Sequence, residues 1–146
     1  MGKKANKEAL NKLIEQVWNQ GKLDLVDELV APQYTILHDP GDPWEGQTLD
    51  REGYKQRVLY SRNAFPDLCF NINEFVATEN RVVINWILTG THRGDLAAVP
   101  ASDKKISVSG LTIYYFSEGE ISGHWQVINR LAFLAQVGMF DPMRQE

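Results

Sequence analysis

Four side chains of this sequence invite a chemical reading: His38, His92, His124 and Asn129. Unperturbed imidazole titrates near neutrality, so any of the three histidines can take up or give a proton at working pH. No two of them stand at a helical or hairpin ligand spacing, so the sequence predicts no metal site. His38 ends a β-rich segment and precedes a loop able to cover a pocket mouth, which makes it the candidate base; it can equally cap that loop with Asp39. His92 shares a strand face with Leu88 and Trp86, and reads either as a pocket-rim residue or as the anchor of the following loop. Asn129 is polar and sits where a strand gives way to a helix. Its carboxamide donates and accepts hydrogen bonds but takes up no proton at neutral pH. Cys69, the one cysteine, reads as a small strand residue rather than a nucleophile, and no intrachain disulfide is open to it.

These residues need elements to position them. The stretch from Gly119 to Gly138 opens on the turn Glu118-Gly119, reads as a strand from Ile121 to Asn129, and closes as a helix from Leu131 to Val137. With Asn129 facing a cavity, alternation puts Val127 and Trp125 on the same wall and turns His124 and Gln126 away, unless a bulge intervenes. Tyr115 depends on register: a two-residue turn aligns Thr112, Gly110 and Val108 with Trp125, whereas a three-residue loop aligns Ile113, Leu111 and Tyr115. Upstream, apolar spacing predicts helices over 6–20, from Leu23 to Pro32, and from an N-cap at Asp50 to Ala64. Strands are expected at 34–37, 69–77, 82–92 and 105–116. Trp18 reads as core, Trp86 as core or pocket wall, and Trp44 as a lid contact or loop packing.

Helices come first and strands follow, which indicates an α+β fold: a curved, mostly antiparallel sheet packed against three N-terminal helices. The half-open cone between them is a natural place for an apolar pocket. With 43% hydrophobic residues, a packed globule is expected over one domain, 1–146. A net charge of −4 argues against nucleic-acid binding. No apolar run reaches membrane-spanning length, and no signal peptide is evident, so the cytoplasm is the expected location.

Several motifs occur in order along the chain: Gly21-Lys22-Leu23-Asp24, His38-Asp39-Pro40, Phe65-Pro66-Asp67, Gly90-Thr91-His92-Arg93-Gly94, and a tail with Trp125, Asn129, Leu131, Leu134, Gln136 and Gly138. In this order the sequence resembles the SnoaL-like polyketide cyclases, which share the fold of nuclear transport factor 2. The resemblance implies a cone-shaped α+β barrel, a homodimer, and an enclosed pocket for a small apolar carbonyl compound. It implies ring closure by intramolecular aldol condensation on a polyketide ester, with no metal or organic cofactor. It also implies a catalytic aspartate four residues after the tail tryptophan, where this chain has Asn129. Asn129 would then orient a substrate carbonyl, His38 would serve as base, and Trp125, Val127, Trp86, His92 and Tyr115 would contact the ligand. The alternative is a protein of the same fold that binds a small apolar ligand without transforming it.

Overall fold

A computed structural model describes residues 2–96, 99–141 and 143. The first helix, α1, spans Lys3–Lys12 and runs on through Leu13–Trp18 with a widened turn, where the Asn19 N–H bonds to the Ile14 carbonyl five residues back. Its face of Leu10, Leu13, Ile14, Val17 and Trp18 is fully buried, as the spacing predicts. A short turn at Leu23–Leu25 leads into α2, Val26–Leu29. The chain then enters β1, Val30–His38, four residues before the sequence reading places it. Pro32 therefore lies inside a strand rather than ending a helix.

The remaining elements are β2 (Thr48–Leu49), α3 (Arg51–Ala64), β3 (Cys69–Ala77), β4 (Arg81–Thr91), β5 (Lys105–Ser117), β6 (Glu120–Ile128) and α4 (Arg130–Gln136). Asp50 caps α3 by accepting from the Gly53 N–H at 2.7 Å. The six strands form one sheet in the order β2-β1-β6-β5-β4-β3, antiparallel throughout except for the parallel pair β1–β6. This is the expected α+β architecture: a curved sheet with helices on its concave side.

Two irregularities in that sheet decide which residues face inward. The β5–β6 hairpin closes on Glu118 and Gly119, both at positive φ, and pairs Ser117 with Glu120, which is the two-residue turn. The ladder then slips at Ser122, so that Gly123 faces Tyr115, His124 faces Tyr114 and Trp125 faces Ile113. On β1 a second slip at Leu37 carries the pairing from Ile36–His124 to His38–Trp125. Gly123 is required at this crossing, because a Cβ there would lie 2.6 Å from the Thr35 carbonyl oxygen. As a result Tyr34, Ile36 and Asp39 point inward from β1 and its end, while Leu37 lies exposed on the outside.

Candidate functional site

The inward faces of β1 and β6 meet in a buried polar cluster. An Asp39 carboxylate oxygen, Oδ2, accepts from His124 Nε2 at 2.8 Å, from Arg57 Nη2 at 3.1 Å and from Gln126 Nε2 at 3.2 Å. The other face of the His124 ring, Nδ1, lies 2.6 Å from the Tyr34 hydroxyl. An ionised Asp39 can only accept, so Nε2 carries the imidazole proton and Nδ1 accepts from Tyr34. Arg57 also binds Asp42 at 2.9 Å. A second chain enters through Gln126: Trp86 Nε1 donates to Thr112 Oγ1, and Thr112 donates to Gln126 Oε1 at 2.7 Å.

Burial and charge set the protonation of each member. Burial pushes the Asp39 carboxyl up, but the His124 hydrogen bond and the Arg57 charge outweigh it and hold the group below the ordinary carboxylate value. Burial pushes His124 down, and the Asp39 hydrogen bond offsets this only in part, so the imidazole is neutral at pH 7. Burial also opposes the Arg57 charge, yet Asp42 and Asp39 more than compensate and Arg57 stays charged. Tyr34 and Tyr114 are raised by burial and keep their protons.

This cluster forms one end of a cavity of about 290 Å³. Trp18, Phe65, Leu68, Trp86, Val108 and Phe133 supply its apolar wall. Trp86 can lie across β5 only because residue 110 is glycine, where a Cβ would come 2.3 Å from the indole. Exposed Gly41 and Pro43, with half-buried Tyr60 and Arg130, mark the mouth. Two features leave the polar end open for chemistry. Asp39 Oδ1 has a single long contact, 3.4 Å from Gln126, and so retains a lone pair. Tyr114 lines the cavity, and its hydroxyl has no hydrogen-bond partner among the described residues.

Most of the residues expected at the site lie elsewhere. Asn129 is exposed and caps α4, its side chain accepting from the Ala132 N–H at 3.0 Å. Trp125 and Val127 lie on the outer sheet face at 36% and 41% exposure, against 2% for His124. His38 stacks on Trp125 on that outer face, with ring centroids 4.3 Å apart. Tyr115 also sits outside, under the Arg81 guanidinium. Alternation along β6 holds, and it sets Asn129 with the outward Trp125 and Val127 rather than inward; the residue has also left the strand to cap α4. His92 is buried behind Phe65 and Phe133 and anchors the following loop through Ser102. Trp44 packs on Tyr60, and Cys69 is half-buried without a disulfide. Only Trp86 among the expected contacts is on the cavity wall.

The residues missed were Asp39, Arg57, Tyr114, His124 and Gln126. His38-Asp39-Pro40 stands out as a motif, but without the slip at Leu37 strand alternation points to the histidine rather than the aspartate. Arg57 follows Tyr54 by three residues on the apolar side of its helix, and a charged residue at that spacing is the one signal in the sequence.

Comparison with known proteins agrees with this fold. The family model for SnoaL-like polyketide cyclases matches residues 8–137. The chain belongs to the SnoaL-like polyketide cyclase family. A proposed polyketide cyclase from Acidithiobacillus ferrooxidans is 43% identical, with a TM-score of 0.83 over 93% of this chain and 96% of that one. IdmH from Streptomyces antibioticus, also a proposed polyketide cyclase, is 26% identical, with a TM-score of 0.76 over 91% and 98%. TsrD from Streptomyces laurentii shares the fold at 20% identity, with a TM-score of 0.82 over 96% and 99%. No match was found among functionally curated proteins. Among the described residues, no group of three or more His, Cys, Asp or Glu is placed to hold a metal ion. No helix there is long and apolar enough to cross a membrane.

Proposed function

We propose that the protein performs cofactor-independent acid–base chemistry on a small apolar carbonyl compound, of the kind that closes a polyketide ring by intramolecular aldol condensation. One observation carries this reading: Asp39, whose Oδ1 has one long contact, lines an apolar cavity together with Tyr114, whose hydroxyl has no hydrogen-bond partner among the described residues. In the proposed reaction Asp39 Oδ1 removes a proton from the carbon next to the substrate carbonyl. The Tyr114 hydroxyl donates to the oxygen as it becomes an enolate. The enolate carbon then attacks a second carbonyl of the same molecule, and the proton held by Asp39 returns to the new alkoxide. His124 and Gln126 fix the carboxylate, and Tyr34 fixes the His124 tautomer. The apolar wall folds the chain and excludes water. Trp86 contacts the bound ring system.

A carboxylate held low is a weak base in water. Substrate entry removes the water around it, and burial already acts on this group in the upward direction. The test is turnover of aromatic polyketide acids and their esters by the natural protein and by Asp39→Asn and Tyr114→Phe. Loss of about 10²- to 10⁴-fold in the first and about 10²-fold in the second is expected. Unchanged turnover in Asp39→Asn would discard the assignment. In the same reading the protein is a homodimer that buries Leu111, Trp125 and Val127 of the outer sheet face. A monomer mass by light scattering would remove that part. We also place it in the cytoplasm, consistent with its unpaired cysteine.

A further inference from the structure

The mouth of the cavity holds a cation that the proposed reaction does not use. Arg130 lines the opening, and its Nε–H donates to the Pro40 carbonyl. Gly41 makes this contact possible twice over. Its φ of +90° turns the backbone there, and a Cβ at that position would fall 2.2 Å from Arg130 Nε. The guanidinium is thus held against the Pro40-Gly41 turn by its stem-side nitrogen. Its two outer nitrogens have no hydrogen-bond or ion-pair partner among the described residues.

Among the described residues no acid forms an ion pair with it, although its charge helps to hold the Asp39 carboxyl low. Asp42 is bound by Arg57, and Asp39 by Arg57, His124 and Gln126. A fixed fork of unpaired donors beside an apolar cavity matches a planar carboxylate, which it can bind with two parallel hydrogen bonds. An ester offers the same fork no charge. We infer that Arg130 is a specificity-determining residue that selects ligands bearing a free carboxylate, with the apolar rings inside the cavity and the carboxylate at its mouth. This deepens the proposed function, since it names the substrate class for the same cavity. It does not depend on Asp39 acting as base.

The test is a binding measurement that needs no turnover. Trp18 and Trp86 line the cavity, so a bound quinone quenches their fluorescence. The probes are anthraquinone-2-carboxylate and its methyl ester, titrated at pH 7 into the natural protein, Arg130→Gln, Arg130→Lys and Asp39→Asn. The natural protein is expected to prefer the acid by about tenfold or more. Arg130→Gln is expected to erase that preference by weakening the acid alone, and Arg130→Lys to retain part of it. Asp39→Asn is expected to keep the preference even where turnover is lost, which separates failure of this inference from failure of the catalytic assignment. Equal affinity for acid and ester in the natural protein, equal weakening of both by Arg130→Gln, or no quenching by either probe would overturn it.

Discussion

The two faces of β6 carry opposite kinds of side chain. Inward, His124, Gln126 and Ile128 meet Asp39, Thr112 and the cavity. Outward, Trp125 and Val127 stand beside Leu111 and Ile113, largely apolar and open to solvent. Hydrophobicity would assign these faces the other way round. The contrast teaches that polar side chains can be the buried ones when each finds partners, because paired polar groups avoid the desolvation penalty that makes lone ones costly.

The largest effect that would break this contrast is kinetic. Asp39→Asn on the inner side is expected to abolish most turnover, while Asn129→Asp, outside, is expected to leave it unchanged; steady-state assays of both variants decide. Next comes the charge balance. Arg57→Leu leaves Asp39 and Asp42 facing each other without their shared cation, and is expected to lose about 3–5 kcal/mol in urea unfolding. Tyr34→Phe removes the donor to His124 Nδ1 and is expected to lose about 1–3 kcal/mol by the same measurement.

Acid should act on the inner cluster as well. His124 and His92 are both held below 6.5, chiefly by burial, so the unfolded chain binds protons more readily than the folded one. Their stabilising contribution is complete above about pH 6.5 and is lost as pH falls through their folded values. Asp39 adds a further loss below about pH 3.8, its carboxyl also being held low. Thermal unfolding followed from pH 8 to pH 3 should show Tm falling in that order. Asn129→Ala, on the outside, should lose only the helix cap, about 1 kcal/mol.

Much of the fold was legible because its signals are local. The buried face of α1, the Asp50 cap and the bounds of β3 each follow from spacing within a few residues. The site was not, because it depends on two one-residue slips at Leu37 and Ser122. A slip of one residue exchanges the faces of everything beyond it, and neither Leu37 nor Ser122 carries a residue type that announces a bulge. Asn129 misled for a related reason. Strand alternation extends to it on paper, but its backbone has already turned to cap α4. Trp86 is buried because it shares the inner face of β4 with Val82, Ile84 and Leu88.

The parallel pairing of β1 with β6 joins the first strand to the last. Asp39 and His124 are 85 residues apart along the chain. No partly folded form lacking that final seam can bring the carboxylate to the imidazole, so chemical competence should arise only with the complete sheet. Refolding followed by recovered activity should then trail refolding followed by helix formation, since contacts this distant along the chain form late.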